Sequence, residues 1–147
     1  MHHTIIAVDV EGFGARDDWH QHLVRDGLNA AVRQAFEHCG LSWGDCYHED
    51  RGDGLIALAP TDASNRRIAE CLPNELAARL REHNAGVDEA ARIRMRVVVH
   101  FGEVERDEHG LSSRAVVHAF RLLDSRAVRT ALAGSHGLLA LITSAEF

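Results

Sequence analysis

The order of apolar and polar positions along the chain predicts a short series of strands and helices. Residues 4–10 form a short run dominated by apolar and β-branched side chains, which is typical of a strand buried on both faces. A helix is predicted to begin at Asp17 or Asp18 and to end near Gly40, because apolar residues recur at helical spacing between them. These residues are Val24, Leu28, Val32, Ala35 and Cys39.

The middle of the chain predicts a β-hairpin. Residues 45–50 and 55–59 are strand-like, and they flank the segment Arg51-Gly-Asp-Gly54. An Asp-Gly pair between two strand-like runs strongly favours a tight hairpin turn. We therefore expect Asp53 at or near the tip of this hairpin.

A second helix and a further strand are predicted after the hairpin. Residues 60–64 form a loop, and Pro73 is expected to open a helix that runs to Asn84 and Gly86. Residues 92–100 alternate apolar side chains with arginines, which predicts a strand with one covered face. Its apolar positions are Ile93, Met95, Val97 and Val99.

The last part of the chain is predicted to contain a flexible polar arm, two helices and a strand, at residues 102–110, 112–123, 125–133 and 138–142. Thr143-Ser-Ala-Glu146 then has the spacing of a capping box and predicts the start of another helix. The whole order of elements indicates an α+β fold in which helices pack against a mixed or antiparallel sheet.

Composition limits the classes of function. With 147 residues, 46% of them apolar, residues 1–147 are expected to form one domain, and the interrupted helix at the end predicts that its last helix and strands are missing. A net charge of -6 and a pI near 6.0 argue against binding to nucleic acids or anionic membranes. Three cysteines without paired spacing, and no apolar run of about 20 residues, predict a cytoplasmic protein. Every cationic side chain except histidine is arginine.

Two aspartates are the strongest candidates for chemistry. Asp9 lies at the end of the first predicted strand, directly before the Gly-rich segment Glu11-Gly-Phe-Gly14, and Asp53 lies in the hairpin turn. If the hairpin pairs with the first strand, the two carboxylates share one end of the sheet. Carboxylates with open coordination positions suit Mg²⁺, which takes its other ligands from water and substrate phosphates. The pattern therefore predicts a site for a nucleoside triphosphate and a divalent metal.

Four segments resemble motifs of the class III nucleotidyl cyclases, the adenylate and guanylate cyclase homology domain. Asp9-Val-Glu-Gly-Phe13 is similar to the metal motif Asp-Ile-x-Gly-Phe, and Gly52-Asp-Gly54 is similar to the second metal motif. Arg96 to Val104 resembles a strand that ends in His-x-Gly-x-Val, and Val116-Val-His-Ala-Phe-Arg121 resembles the helix motif Val-Asn-x-Ala-x-Arg. The segments cover nearly the whole chain in the family's order.

The resemblance implies a ferredoxin-like, cyclase-type sheet and a particular set of site residues. Asp9 and Asp53, helped by the Val10 carbonyl, would hold two Mg²⁺ or Mn²⁺ ions. Phosphates would lie against the turn formed by Glu11, Gly12, Phe13 and Gly14. The ribose 3′-hydroxyl would attack the α-phosphate, and pyrophosphate would leave. Because such sites form between two subunits, a homodimer is expected in which Arg121 of one chain stabilises phosphate held by the other.

Glu49 is the candidate for selecting the base. It lies four residues before Asp53, where the resemblance places a lysine in adenylate cyclases and a glutamate in guanylate cyclases. A carboxylate can accept hydrogen bonds from the N1 and N2 donors of guanine, whereas adenine offers an acceptor at N1. The position therefore favours GTP.

Other interpretations remain open at this point. Val117 stands where the helix motif has an asparagine, which favours a catalytically degenerate domain that binds nucleotide or only dimerises. A metal-dependent phosphohydrolase could use the same carboxylates. Taken singly, Asp53 is equally a turn residue, Glu49 an exposed strand residue and Arg121 part of a solvated helix face.

Overall fold

The computed structural model describes residues 2–107, 110–112, 114–135 and 137–145. Its helices are α1 (Asp18–His38), α2 (Asn65–Ala85), α3 (Arg114–Leu123) and α4 (Arg126–Ala133). Its strands are β1 (His2–Val10), β2 (Tyr47–Asp50), β3 (Gly54–Leu58), β4 (Met95–Glu103), β5 (Glu105–Asp107), β6 (Gly110–Ser112) and β7 (Leu139–Ala145). None of the helices in the described ranges is both long and apolar enough to cross a membrane.

Five strands form one mixed sheet in the order β2-β3-β1-β4-β7. Neighbouring strands are antiparallel except for β4 and β7, which are parallel, and β5 pairs with β6 in a separate ladder. β1 lies at the centre, and both of its neighbours run antiparallel to it. The α+β fold with a mixed sheet is thus confirmed, as is the pairing of the hairpin with the first strand.

Helices cover both faces of the sheet. α1 and α2 pack together on one face, and their apolar stripes meet Ile6, Val8, Val97 and Val99 in the main core. α3 packs on the opposite face, where Ile5 and other apolar side chains of β1, β3 and β4 form a second cluster. All five residues of the apolar stripe predicted for α1 are buried.

The start of α2 was predicted wrongly. The helix begins at Asn65, its first turn is capped by the Ser64 side chain, and Pro73 lies inside it. A proline within a helix removes one backbone hydrogen bond and usually marks a helix start. Here the buried stripe Ile68, Leu72, Leu76 and Leu80 continues through the proline, so burial of this face outweighs the lost hydrogen bond.

Three further expectations are corrected by the structure. β4 is buried on both faces instead of one, because α3 covers the face that carries its arginine at position 96. The segment predicted as a flexible arm contains the end of β4 and the β5–β6 ladder. Residues 143–145 continue β7 instead of starting a helix, since they pair with β4. Glu146 and Phe147 lie outside the described residues.

Candidate functional site

The hairpin tip is pressed against the end of β1. Asp9 pairs with Gly54 across the two strands, and the Val10 N–H donates to the Asp53 carbonyl at 3.0 Å. A side chain at Gly54 is excluded, because its Cβ would lie 2.1 Å from the Val8 carbonyl oxygen. Main-chain contacts therefore place Asp9 and Asp53 side by side.

The turn itself is built by glycine and by a side-chain hydrogen bond. Gly52 has φ of +86°, which other residues rarely adopt, and its N–H donates to Asp50 Oδ1 at 2.7 Å. The Arg51 N–H closes the turn by donating to the Gly54 carbonyl at 2.8 Å. This geometry leaves Asp53 exposed at the tip, as the sequence predicts.

A cavity of about 490 Å³ lies between this end of the sheet and α3. Its polar lining combines carboxylates and guanidinium groups from three parts of the chain. The charged residues that line it are Asp9, Arg51, Asp53, Arg121 and Asp124. Asp9 and Asp53, which were predicted to bind metal, and Arg121 thus line one cavity, whereas its described lining does not include Val10 or residues 11–14.

Arg96 is a residue of this region to which sequence reasoning gave no role. It pairs with Asp9 across β1 and β4, and its Nε donates to Asp9 Oδ1 at 2.5 Å. The Arg96 side chain is only 10% exposed and that of Asp9 15%. The alternation of arginines with apolar residues along this strand was the signal that could have identified Arg96. It was interpreted instead as a strand face exposed to solvent.

Burial and neighbouring charges shift the pKa of the Asp9 carboxyl in opposite directions. Burial raises the pKa of the Asp9 carboxyl above its usual value, and the charge of Asp53 acts in the same direction. The hydrogen bond and charge of Arg96, and more weakly the charge of Arg129, lower this pKa. The balance leaves the pKa raised, and a carboxyl with a perturbed pKa beside a cavity is a candidate for a functional site.

Asp124 and Arg129 form a second ion pair near the cavity. Arg129 donates through Nη2 to Asp124 Oδ1 and through Nε to the Asp124 carbonyl oxygen. The side-chain hydrogen bond lowers the pKa of Asp124, so this residue stays ionised. Neither residue has a motif around it, and their position follows from the packing of α3 and α4.

The donor set fits a hard divalent cation that keeps part of its water shell. Asp9 and Asp53 line one cavity, and within the described contacts Asp9 Oδ2 accepts no hydrogen bond. In the described part of the chain, no group of three or more His, Cys, Asp or Glu side chains could hold a metal by itself. Two carboxylates therefore suit an ion that obtains its other ligands from water and phosphate.

The Gly-rich turn is separated from α1 by a short 3-10 turn. Gly12, with φ of +70°, is followed by a 3-10 turn over Phe13–Ala15, and α1 begins only after Arg16 and the capping residue Asp17. The turn therefore does not run directly into the N-terminus of α1. That N-terminus is occupied by the Asp17 carboxylate, which accepts from the His20 N–H at 2.9 Å.

Arg94 connects this turn to the end of α4. It donates to Glu11 Oε1 at 2.9 Å and to the carbonyl oxygens of Leu132 and Ser135 at 2.5 and 2.6 Å. The Glu11 carboxylate is thus already paired. Gly14 is open, since a Cβ there would contact nothing within 4 Å.

Glu49 lies on edge strand β2, and its carboxylate is engaged by neighbours. Oε1 accepts from the Tyr47 hydroxyl at 2.5 Å, and Oε2 accepts from Arg51 Nη2 at 3.2 Å. Glu49 faces the same side of the sheet as α3, because it pairs with Ile56, a member of the cluster under that helix.

Arg121 and Val117 line the cavity from the α3 side of the same chain. Val117 is 50% exposed, which is unusual for a large apolar side chain. Arg121 thus lies at the same cavity as Asp9 and Asp53 of its own chain, whereas Glu49 and residues 11–14 are not among the residues described as lining it. A contribution of Arg121 across a dimer stays a prediction.

A second cavity of about 490 Å³ lies between α1 and the edge strand β2. In it Asp50 pairs with Arg25 at 2.9 Å, and Asp26 contacts the His22 ring at 3.3 Å. We regard the cavity beside α3 as the candidate site because it contains both aspartates of the predicted metal site.

Comparison with known proteins supports the fold. No protein-family model matches the sequence, and no curated protein matches it. Solved structures do match. The guanylyl cyclase Cya2 is 20% identical, with a TM-score of 0.65 over 84% of this chain and 70% of that chain. A bacterial light-regulated adenylyl cyclase is 13% identical, with a TM-score of 0.69 over 96% of this chain and 42% of that chain.

The guanylate cyclase domain of RhGC from Catenaria anguillulae, solved in complex with GTP, is 17% identical. Its TM-score is 0.58 over 84% of this chain and 72% of that chain. At these low identities it is the TM-scores that show a shared fold. The order of strands and helices, which the motifs predicted, agrees with it. The chain has the fold of the class III guanylyl and adenylyl cyclase catalytic domains.

Proposed function

We propose that this protein is a nucleotide cyclase that converts a nucleoside triphosphate, with GTP favoured, to a 3′,5′-cyclic nucleotide and pyrophosphate. The observation that carries the proposal is the single cavity lined by Asp9, Asp53 and Arg121. The fold supports it, and a structurally similar domain is described in complex with GTP.

The residues to which we give a role lie on two walls of the cavity, the two aspartates on the sheet side and Arg121 on α3. Asp9 and Asp53 would hold two Mg²⁺ or Mn²⁺ ions, with the Val10 carbonyl as a further ligand. When bound, the metals supply Lewis-acid stabilisation of charge on the phosphates. Arg96 orients the Asp9 carboxylate through the hydrogen bond to Oδ1. Arg121, on the α3 wall of the cavity, would donate hydrogen bonds from its guanidinium to the phosphate.

The decisive experiment incubates the protein with each of the four common NTPs and Mn²⁺ and identifies products by mass spectrometry. We expect a 3′,5′-cyclic nucleotide and pyrophosphate, with GTP the preferred substrate. Inorganic phosphate as the product would indicate a phosphohydrolase instead. Binding of Mn²⁺ and GTP without any turnover would refute the enzyme and support a binding domain.

Asp53→Asn tests the metal site. The variant removes one anionic oxygen at the exposed hairpin tip, so we expect Mn²⁺-dependent GTP binding to weaken at least about tenfold. Asp62→Asn is the matched control, because Asp62 is also exposed and in a loop but lies away from the cavity. Unchanged binding by Asp53→Asn would contradict the shared metal site.

A mixing experiment tests the proposed homodimer. If each site takes Arg121 from a partner subunit, inactive Asp53→Asn and Arg121→Ala chains should restore activity when mixed, to about a quarter of wild type for random pairing. If one chain supplies the whole site, the mixture stays inactive. An inactive mixture would be consistent with a cyclase but would contradict a site shared between two subunits.

Val117 favours one alternative. An apolar, half-exposed side chain lines the cavity at the place where the helix motif has an asparagine. A valine cannot hydrogen-bond to a ribose. The alternative is a catalytically degenerate domain that binds nucleotide, or dimerises, as a signalling module. Val117→Asn helps to discriminate between the two: turnover by the variant, with GTP binding but no turnover by the wild type, would support the degenerate domain, whereas turnover by the wild type itself would support the cyclase.

A further inference from the structure

Arg51 lies between Glu49 and the cavity. Its Nη2 donates to Glu49 Oε2 at 3.2 Å, and its guanidinium carbon lies 4.8 Å from the centre of the Phe120 ring on α3. Arg51 and Phe120 both line the cavity together with Asp53, whereas Glu49 is absent from its described lining. A ligand that enters the cavity therefore meets the Arg51 side chain before it meets Glu49.

Arg51 keeps unused hydrogen-bond donors at this edge of the cavity. Both carboxylate oxygens of Glu49 already accept a hydrogen bond, one from the Tyr47 hydroxyl and one from Arg51. A guanidinium has five N–H donors in one plane, and the contact with Glu49 uses one of them. The Phe120 ring supports this plane from one side. Arg51 thus presents an oriented, partly free fork of donors at the mouth of the cavity.

We propose that Arg51 selects the base of the bound nucleotide by donating two hydrogen bonds to O6 and N7 of guanine. This inference rests on the proposed nucleotide-binding function. Guanine carries two acceptors on that edge, whereas adenine carries one acceptor at N7 beside the N6 amino donor, which would face the N–H groups of the guanidinium. Arginine is well suited to such a paired contact, because its fork matches two adjacent acceptors.

The inference differs from the prediction made for Glu49 in the edge of the base that is recognised. A carboxylate at Glu49 would accept from N1 and N2, whereas Arg51 donates to O6 and N7. Both select guanine over adenine, so a comparison of GTP with ATP cannot separate them. Analogues altered at one edge only can do so.

The test measures equilibrium binding of GTP, ITP and 7-deaza-GTP to the full chain in the presence of Mn²⁺. ITP lacks the 2-amino group but keeps O6 and N7, so we expect it to bind within about twofold of GTP. 7-deaza-GTP lacks the N7 acceptor, so we expect its affinity to fall about tenfold or more. Tight binding of 7-deaza-GTP together with weak binding of ITP would overturn the proposal in favour of the N1 and N2 edge.

A variant of Arg51 tests whether this side chain causes the difference in affinity between GTP and 7-deaza-GTP. Arg51→Met keeps an unbranched stem that can pack on Phe120 but removes the fork, so it should bind GTP and 7-deaza-GTP equally. Arg66→Met, at an exposed position of α2, should keep the wild-type difference. A difference that persists in Arg51→Met would also overturn the proposal. If no nucleotide binds to the wild type, the proposed function itself fails, and this inference fails with it.

Discussion

Replacing Arg96 with methionine is expected to destabilise the domain strongly at neutral pH and much less in acid. The Arg96 Nε donates to Asp9 Oδ1 at 2.5 Å, and both side chains are nearly buried. Methionine retains an apolar stem of similar length but removes the positive charge. Asp9 is then left in a buried position without its main partner.

The size of the effect follows from the burial of the pair. Removal of one partner from a buried ion pair costs about 3 to 5 kcal/mol. Asp9 can take up a proton when its partner is lost, which limits the cost to the lower end of this range, about 3 kcal/mol. For a domain of about this size, that loss corresponds to a fall in Tm of about 6 to 12 °C.

The sign of the pH dependence distinguishes charge from packing. Burial, and then the charge of Asp53, raises the pKa of Asp9 above the ordinary 3.8, while Arg96 opposes the rise. Without Arg96 the folded-state pKa is higher still, so the folded protein holds this proton more tightly than the unfolded chain. Stability is therefore lost as the pH rises above the unfolded-state value, and the deficit of the variant shrinks as the pH falls toward about 4.

The assay is urea or thermal denaturation of wild type and R96M without added metal, from about pH 4 to 8. Arg66→Met is the control, because its side chain is 86% exposed and its ion pair with Glu70 should contribute less than about 1 kcal/mol. A deficit of R96M that is the same at every pH would refute the electrostatic reasoning and leave only a packing role.

Two further predictions concern packing and thiols. Gly27→Ala should cost about 1 to 3 kcal/mol in urea denaturation, because the new Cβ would lie 2.3 Å from Cε1 of His83 on α2; a gain of about 1 kcal/mol, which helix propensity alone gives, would contradict this close contact. In the native protein Cys71 should react first with a thiol reagent, since burial raises the pKa of Cys39 to about 12 and that of Cys46 to about 11. At about pH 8 this lowers the thiolate fraction of Cys39 about a thousandfold relative to an ordinary thiol, and equal rates for the three thiols would contradict it.

Local pattern predicted the elements that depend on local chemistry. The buried strand β1, the hairpin with Asp53 at its tip and the apolar stripe of α1 each follow from periodicity or from turn residues within a few positions. The pairing of Asp9 with the hairpin also followed, because sequential strands tend to be neighbours.

What local pattern could not predict depends on contacts between distant segments. Pro73 looked like a helix start, but the tertiary burial of Ile68 and Leu72 extends α2 through it. Arg96 looked exposed, but α3 covers its face of the sheet and leaves it beside Asp9. The place of Arg51 at the cavity follows from the packing of the hairpin against Phe120, for which no motif exists.

The two walls of the cavity are held by different kinds of contact, and the close approach of Gly54 to β1 belongs to the sheet wall. On the sheet side, the main-chain hydrogen bond from Val10 to Asp53 and the strand register fix the backbone at the two aspartates. On the other side α3 is held by side-chain packing, including the contact of His118 with His100. The width of the cavity is therefore set by one helix. A shift of α3 by an ångström therefore changes the distance from Arg121 to the two aspartates, while the backbone that carries the aspartates stays in place.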